Sequence, residues 1–284
     1  MSPEKTSAES LRRERAAAII RCEAKTIARL EERLDTGFDR AVEAVLSCAG
    51  QVVVTGMGKA GLVGQKISAT LASTGTPSFF LHPAEALHGD LGRIRPQDLV
   101  LALSNSGETE EVTLLVPAAR KIGAGIISMT GRPTSNLGRL SDAVLDIGSV
   151  EEAGTMKLAP TASTAAMLAM GDALALVVAE ERGFNHEDFA RFHPGGSLGR
   201  RLMRVGEVMR QSTALPLVPA DRSVAQVLIL TSTTPGRPGA ALVVDKDGRL
   251  LGIFTDGDLR RLLETKDRAV LDDPVSEHMG ANPK

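Results

Sequence analysis

Five short apolar runs alternate with helix-compatible stretches through the first 150 residues, and this alternation constrains the fold more than any other feature. The runs are residues 51–55, 77–81, 99–103, 125–129 and 143–147. They are mostly apolar rather than apolar only at every second position, which is typical of strands buried on both faces. With helices between them, they predict an α/β fold with a doubly wound five-stranded parallel sheet. Ligands bind beyond the carboxyl ends of such strands, so the candidate site lies in the segments that follow them.

Helices are predicted on both sides of this region. Residues 8–49 indicate two helices, rich in Ala, Arg and Glu, with a break at Thr36-Gly37. A long apolar helix over about 161–183 closes the first domain. Its length approaches that of a membrane span, but Gly171, several hydroxyl groups and the lack of a second apolar segment favour a buried or subunit-interface helix. No membrane is expected as a partner.

The pattern changes beyond Val205 and predicts a small C-terminal α+β domain. Short strands over 240–244 and 250–254 are joined by Asp245-Lys-Asp-Gly248, a good hairpin turn, and a helix follows over 258–264. The predicted domains are therefore 1–200 and 205–270, and a short segment, 271–284, remains at the end.

Composition excludes several classes of protein. Hydrophobic residues (43%) and charged residues (24%) are at ordinary globular levels. The net charge of −2 and the presence of Phe as the only aromatic type argue against a broad nucleic-acid surface or a base-stacking platform. Two cysteines without a C-x-x-C pair, and no early apolar signal segment, predict a cytoplasmic protein.

A glycine-rich turn follows the first predicted strand. Gly56-Met-Gly58-Lys-Ala-Gly61 fits the G-x-G-x-x-G dinucleotide fingerprint, but the second predicted strand ends in Leu81-His82 without the acid that would hold the ribose. Two other interpretations stay open: a simple tight turn, and a sugar-phosphate site with Lys59 at its rim. The last is favoured.

A second polar segment, Ser104-Asn105-Ser106-Gly107-Glu108-Thr109, joins the third strand to a helix. Backbone N–H groups at a helix start favour an anion, and three nearby hydroxyl groups could complete a phosphate shell. Simple N-capping is the alternative, but it needs only one hydroxyl. The segment therefore predicts a phosphate site.

Charged residues follow the same predicted edge of the sheet. Lys59, Glu111 and Glu152 supply a cation and two carboxylates close to the phosphate segment. Such a set suits proton abstraction next to a carbonyl group. For Glu111 the alternative is a surface acid that complements the helix dipole.

The histidines give weaker signals. His82-x-x-Glu85-x-x-His88 could present ligands on one helical turn, but it is not an H-E-x-x-H motif, so adventitious or inhibitory metal binding is favoured over a functional metal. His193 precedes Pro194-Gly-Gly196, where a structural role at a helix end is the alternative to chemistry.

Four segments together resemble the sugar isomerase (SIS) domain, a Rossmann-like fold, and within it the D-arabinose 5-phosphate isomerase family. They are G-M-G-K-A-G after a strand, A-L-S-N-S-G-E-T-E-E, the helix start A-P-T-A-S-T-A, and F-H-P-G-G-S-L-G-R. The resemblance extends from about residue 10 to the end of the chain. It implies interconversion of D-ribulose 5-phosphate and D-arabinose 5-phosphate, which feeds synthesis of the Kdo sugar of lipopolysaccharide, and it suggests a homotetramer that needs no cofactor.

The resemblance also implies residue roles. Catalysis maps to Lys59, Glu111, Glu152 and His193, and His82 matches a position linked to zinc, which is expected to inhibit. Substrate contacts map to Gly75, Thr76, His88, Ser104, Asn105, Ser106 and Thr109. Glu152 is slightly preferred over Glu111 as the C–H base because it is expected on a loop, and His193 would shuttle the hydroxyl proton from its own or a neighbouring subunit.

The C-terminal domain resembles a cystathionine-β-synthase (CBS) motif, through Val208-Met209 and the run from Gly252 to Asp258. In that motif Thr255 and Asp258 would hold the phosphate and ribose of an adenosine nucleotide. The family usually carries two CBS motifs, whereas residues 271–284 look like only the start of a second, truncated one.

Three other functions are compatible with parts of the sequence. Another SIS-domain sugar-phosphate isomerase would keep the site and change the substrate. A non-catalytic sugar-phosphate sensor would bind without turnover, and a dinucleotide oxidoreductase would bind a nicotinamide cofactor.

Overall fold

The computed structural model describes residues 3–193, 205–264, 268–281 and 283. The chain divides into two compact units, Met1–Leu202 and Met203–Lys284.

The first unit is built around a parallel sheet with strand order β2-β1-β3-β4-β5. Its strands are β1 (Val52–Gly56), β2 (Ser78–Phe80), β3 (Leu99–Leu103), β4 (Gly125–Thr130) and β5 (Ala143–Asp146). All neighbouring strands run parallel, which confirms the predicted fold class. The strand order reverses beside β1, so the crevice between the carboxyl ends of β1 and β3 is the expected ligand position.

Helices cover both faces of this sheet, and alternate residues of each strand serve the two layers. Val52 and Val54 pack in one core with α2, α3 and α7, whereas Val53 packs in the other with α4 and α5. The helices are α1 (Pro3–Ala28), α2 (Thr36–Ser47), α3 (Gly58–Ser73), α4 (Pro83–Leu87), α5 (Glu110–Ile122), α6 (Asn136–Arg139), α7 (Ala162–Glu181) and α8 (His186–Phe192).

Helix α7 is long and apolar enough to cross a bilayer by length and composition. In the structure it packs against α1, α2 and α3 and contributes Met167, Met170 and Leu174 to the core. Gly171 sits where a Cβ atom would overlap Ile67, so α7 and α3 approach closely. The helix is therefore part of the core of the first unit.

The predicted break between the two N-terminal helices is wrong in position. The break spans residues 29–35, and Thr36 and Gly37 open α2. The Asp35 carboxylate accepts a hydrogen bond from the Gly37 N–H (2.8 Å) and caps the helix. A Cβ atom on Gly37 would lie 2.5 Å from the Val144 carbonyl oxygen, so this glycine allows α2 to pack on β5.

The second unit has a four-stranded mixed sheet of order β6-β7-β8-β9. Its elements are α9 (Val205–Val208), β6 (Leu217–Pro219), α10 (Val224–Thr233), β7 (Ala240–Val244), β8 (Leu250–Thr255), α11 (Asp256–Glu264) and β9 (Gly280–Ala281). Strands β7 and β8 form the predicted antiparallel hairpin, and the Gly248 N–H donates to the Asp245 carbonyl oxygen across its turn (3.1 Å). The final segment joins this unit, since β9 pairs with β8 and Val275 is fully buried in its core.

Candidate functional site

The carboxyl edge of the parallel sheet brings together four of the predicted functional segments. Gly56 pairs with Leu103 at the ends of β1 and β3, and Thr130 pairs with Asp146 at the ends of β4 and β5. Lys59, the Ser104–Thr109 segment, Glu111 and Glu152 all follow closely behind these ends. The structure therefore places a cation, a polar loop and two carboxylates along one edge.

The turn after β1 brings Lys59 to the rim of a cleft. Gly58 has φ +55°, and a Cβ atom on Gly61 would overlap the Gly56 carbonyl oxygen, so both glycines serve the tight strand-to-helix turn. Lys59 is exposed on the first turn of α3. The cleft, of about 370 Å³, is lined by Gly56, Gly58, Lys59, Gly61, Leu62, Gln65, Phe80 and His82.

In the Ser104–Thr109 loop, the Ser104 hydroxyl is buried and makes hydrogen bonds within the loop, whereas the Ser106 hydroxyl is exposed. Ser104 is only 2% exposed. Its Oγ accepts from the Gly107 N–H (3.1 Å) and lies 2.8 Å from Thr109 Oγ1. Ser106 is exposed, and its Oγ accepts from the Glu108 N–H (3.2 Å). Ser104 thus holds the shape of the loop, whereas Ser106 is accessible to a ligand.

Among the residues that the structure describes, no side chain caps the N-terminus of α5, which begins directly after this loop. The first N–H groups of a helix need partners, and the positive end of its dipole favours an anion. The simple capping interpretation of the serines and threonine is therefore not supported at α5. The arrangement fits a phosphate group.

Gly107 gives this loop its most restrictive position. Its φ is +67°, and a Cβ atom there would overlap the Ser135 hydroxyl. Replacing Gly107 with Ala is expected to lower the free energy of unfolding by about 2–5 kcal/mol, because overpacking adds to left-handed strain. Gly58→Ala is the matched control, since Gly58 has φ +55° but nothing within 4 Å of a Cβ atom, so only about 1–2 kcal/mol is expected. Denaturant unfolding measures the free energy of unfolding of both variants. An equal loss of stability in the two would contradict a steric contribution from Ser135.

The two candidate base residues differ in their surroundings. Glu111 lies half-buried in the first turn of α5, and its carboxylate has no hydrogen-bond partner within the part of the chain that the structure describes. Glu152 lies on the loop after β5 and caps the start of α7. Its Oε2 accepts from the N–H groups of Thr161 (2.8 Å) and Ser163 (3.3 Å), and its Oε1 accepts from the Ser163 hydroxyl.

This capping keeps Glu152 ionised. Partial burial raises the pKa of the Glu152 carboxyl, but the hydrogen bonds from Ser163 and Thr161 outweigh it and hold the pKa below its ordinary value. Each carboxylate oxygen has two acceptor positions. Oε1 uses one of them, so it keeps capacity for an incoming proton in a fixed orientation.

His193 is also oriented by its neighbours. It follows α8, and its Nδ1 lies 2.9 Å from the Phe189 carbonyl oxygen. Its ring stacks on the Phe189 ring, with centroids 3.8 Å apart. A carbonyl oxygen only accepts, so Nδ1 carries the hydrogen and Nε2 is the acceptor of the neutral ring. Within the described ranges, Nε2 has no hydrogen-bond partner. Residues 194–199 of the predicted joint lie outside the described residues.

The structure does not bring His193, Gly75 and Thr76 to the same edge. Gly75 and Thr76 precede β2, and the Thr76 hydroxyl accepts from Arg182 just beyond the C-terminus of α7 (2.9 Å). A Cβ atom on Gly75 would lie 2.8 Å from the Phe184 ring, which stacks on Phe192 at the end of α8. Glu152 is at the other end of α7, whose 20 residues span about 30 Å.

The predicted zinc position does not form a multidentate site. His82 and His88 are both exposed, at the two ends of α4. Among the described residues, the one group of three potential metal ligands is Asp273, Glu277 and His278, in the second unit. The surroundings of His82 therefore do not fit a resident metal.

The predicted nucleotide residues of the second unit bind each other. The Asp258 Oδ2 accepts from the N–H (2.8 Å) and the hydroxyl (2.7 Å) of Thr255, and the Asp258 N–H donates back to that hydroxyl (3.3 Å). Burial raises the pKa of Asp258, but these bonds and Arg261 lower it overall. This is a capping box at the start of α11, and it explains the residue pair without a nucleotide.

Three residues around the site escaped the sequence analysis. Thr161 and Ser163 orient Glu152, and Phe189 orients His193. The run T-A-S at the start of a predicted helix carried a capping signal, but nothing in it named a glutamate nine residues upstream as the acceptor. Phe189 gave no signal.

Comparison with known families matches both units. The SIS domain family matches residues 45–177, and the CBS domain family matches residues 205–265.

Curated relatives cover most of the chain. An arabinose 5-phosphate isomerase, KdsD, of Yersinia pestis is 47% identical over 247 residues, which cover 87% of this chain and 75% of the relative. An arabinose 5-phosphate isomerase, GutQ, of Salmonella typhi is 49% identical over 261 residues, covering 92% and 80%.

Among solved structures, the Escherichia coli CFT073 protein c3406 in complex with arabinose 5-phosphate is similar, with 37% identity and a TM-score of 0.63. The match covers 68% of this chain and all of that one. A phosphosugar isomerase structure from Bacteroides fragilis has 36% identity and a TM-score of 0.61, with 67% and 98% covered.

Proposed function

The chain belongs to the arabinose 5-phosphate isomerase family, and from this premise we propose that it interconverts D-arabinose 5-phosphate and D-ribulose 5-phosphate, supplying synthesis of the Kdo sugar of lipopolysaccharide. The main support for this proposal is the set of residues at the carboxyl edge of the sheet. There Lys59, Glu111 and Glu152 follow the strands that flank an uncapped helix N-terminus. A phosphate site, a base and a cation are the groups that aldose–ketose isomerisation requires.

The substrate phosphate binds at the start of α5 in this account. Backbone N–H groups of the helix and the exposed Ser106 hydroxyl contact it, with Thr109 beside them, while Ser104 maintains the loop. The position of Asn105 is fixed by its backbone carbonyl oxygen, which accepts a hydrogen bond from the Gly131 N–H (3.0 Å).

Ser106→Ala is expected to raise KM for D-arabinose 5-phosphate about tenfold with little change in kcat, because one hydrogen bond to a charged group is lost in ground state and transition state alike. The matched control is Ser141→Ala, whose hydroxyl donates to the Leu137 carbonyl oxygen instead (2.8 Å). Steady-state kinetics measure both. An unchanged KM in Ser106→Ala would show that the substrate phosphate does not contact this hydroxyl.

Glu152 then acts as the base. It removes the proton from C2 of the open-chain aldose, an enediolate forms, and the same carboxyl returns the proton to C1 of the ketose. The fixed position of Oε1 suits one base that serves two adjacent carbons. Glu111, whose carboxylate has no partner in the described residues, is the second candidate for this role.

Lys59 and His193 serve the oxygens in this mechanism. The Lys59 ammonium group offsets negative charge on the enediolate. Nε2 of His193 accepts the hydroxyl proton at one oxygen and returns it at the other, so the sugar gains and loses no atoms overall.

Ser163→Ala tests the orientation of the base. Loss of its hydrogen bond to Glu152 destabilises the charged carboxylate and raises its pKa, so the acid limb of the kcat profile is expected to move to higher pH. Thr164→Ala is the control, because that hydroxyl donates to the Thr161 carbonyl oxygen and not to Glu152 (2.8 Å). A shift of equal size in both variants would assign the effect to helix α7 as a whole.

A second copy of the chain completes the site. His193, Gly75 and Thr76 lie at the opposite end of α7 from Glu152, and α7 is about 30 Å long, so they reach the substrate from a neighbouring subunit. In the loop beside Glu152, Met156 and Leu158 have 76% and 73% of their surface exposed, and apolar side chains of this kind suit such a contact. We propose that this second copy belongs to a homotetramer. We also propose that the protein is located in the cytoplasm.

No cofactor is required in this mechanism, since a carboxylate and an imidazole carry out every proton transfer and an ammonium group offsets the charge on the enediolate. Zinc at His82, which lines the cleft beside Lys59, would act as an inhibitor. His88 would contact the sugar, and any adenosine nucleotide in the second unit would have to displace the bonds between Thr255 and Asp258.

Turnover with a substrate panel tests the proposed function. The protein is assayed with D-arabinose 5-phosphate, ribose 5-phosphate and glucose 6-phosphate, each with and without a chelator. Conversion of the arabinose sugar alone, unchanged or increased by the chelator, is expected. Turnover of another sugar in its place would contradict the substrate, and loss of activity with chelator would contradict the metal-free mechanism.

A further inference from the structure

A small cavity lies between the C-terminal part of α1 and the segment that follows β5, and it shares no lining residue with the cleft beside Lys59. Its volume is about 120 Å³, and its polar lining comprises Lys25, Thr26, Arg29, Arg33, Ser149 and Glu151. Lys59, Glu111, Glu152 and the Ser104–Thr109 loop do not line it. Sites for whole metabolites usually exceed about 300 Å³, so this cavity has the size for one charged group of a ligand.

The cationic wall follows from helical spacing. Lys25 and Arg29 are four residues apart and Cys22 is three residues before Lys25, so all three share one face of the chain where it packs beside residues 147–151. Arg33 is fixed against the same segment, since its Nη1 lies 2.7 Å from Asp146 Oδ2. Asp146 in turn accepts a hydrogen bond from the Gly148 N–H (2.7 Å). Arg33, Asp146 and Gly148 therefore hold this side of the cavity in one conformation.

The charges of the cavity do not cancel. Arg33 is paired with Asp146, and Glu151 is paired with Lys157. Lys25 and Arg29 have no ion-pair partner in the described part of the chain. Lys157 lowers the pKa of Glu151 most, and Arg29 and Lys25 lower it further. Two positive charges therefore remain uncompensated at the cavity.

Hydrogen-bond donors accompany these charges. The Ser149 hydroxyl and the N–H groups of Ser149 and Val150 make no hydrogen bond within the described residues. Two cations and several free donors around a space of this size match the oxygens of a phosphate group.

We propose that this cavity binds the phosphate group of a small metabolite, as a second anion site distinct from the sugar-phosphate site. Two sources share this chemistry: a separate phosphorylated effector and the phosphate of the substrate itself. The first is assigned here, because no residue at the carboxyl ends of β1 and β3 lines the cavity.

Binding of inorganic phosphate to the full chain at low salt tests the site without any need for turnover. Titration calorimetry compares the wild type with the double variant Lys25→Ala/Arg29→Ala. In the double variant, the Kd of one class of phosphate site is expected to rise at least about tenfold. KM for D-arabinose 5-phosphate is expected to stay within about twofold of the wild-type value. The charge-preserving variant Lys25→Arg/Arg29→Lys should retain binding, which separates lost charge from lost fold.

The matched control is Arg12→Ala/Arg15→Ala, which removes the same charge from the more N-terminal turns of α1 and should leave phosphate binding unchanged. The proposal is overturned by an unchanged isotherm in the Lys25/Arg29 variant, or by equal weakening in the control, which would indicate general attraction. A tenfold rise in KM in the Lys25/Arg29 variant would also overturn it, by assigning the cavity to the substrate phosphate. Because the titration uses phosphate alone, a protein that lacks isomerase activity would still give a clear result.

Discussion

Replacing Glu152 with Gln is expected to lower kcat by about 10²–10⁴-fold with little change in KM for D-arabinose 5-phosphate. The amide cannot take the proton from carbon, yet its carbonyl oxygen can still accept from the N–H groups of Thr161 and Ser163 that the carboxylate now binds. The start of α7 should therefore persist. Steady-state kinetics with thermal unfolding of the same preparations separate lost chemistry from lost fold.

Glu110→Gln is the matched control for this change. Glu110 is an exposed carboxylate at the first position of α5, next to the second candidate base, and it has no assigned role. Near-full kcat in Glu152→Gln would contradict the base assignment. If Glu111→Gln instead loses activity, the base is Glu111, and Glu152 is only the cap of α7.

Replacing Lys59 with Met is expected to lower kcat by about 10²–10³-fold, the usual effect of removing one group that stabilises developing negative charge. Methionine keeps much of the apolar stem, so the packing of α3 against β1 should change little. Lys59 is exposed at the rim of its cleft, and the charge that it contributes is therefore directed at a ligand rather than at the core.

The control for the Lys59 variant is Lys121→Met, which removes an exposed lysine from the last turn of α5, at the far end of that helix from the site. A raised KM with normal kcat in Lys59→Met would show that Lys59 binds ground state and transition state equally, for example through the phosphate. Unchanged kinetics would remove Lys59 from the mechanism.

The sheet and its functional edge could be predicted because they depend on local signals. Residues 99–103 are apolar at every position, and the predicted strand there coincides with β3. Parallel strands end at one edge, so residues just after them had to meet. The N-terminal break was misplaced because Gly37 was interpreted as a helix breaker, whereas it allows close packing of α2 on β5.

The roles of individual hydroxyls and the meeting of distant segments could not be predicted in the same way. Ser104 and Ser106 look equivalent in sequence, but one is buried as a brace and the other is exposed. The position of His193 depends on where a 20-residue helix ends, about 30 Å from where it begins. The sequence contains the functional residues, but their division between two ends of α7 follows only from the fold.

Proton NMR of D-arabinose 5-phosphate incubated with the protein in D₂O containing a chelator tests the metal-free enediolate mechanism directly. A base that moves a proton through an enediolate exchanges part of it with solvent. We therefore expect D-ribulose 5-phosphate with deuterium at C1, formed without any added metal. Absence of ketose, or ketose formed only after a metal is restored, would contradict this mechanism.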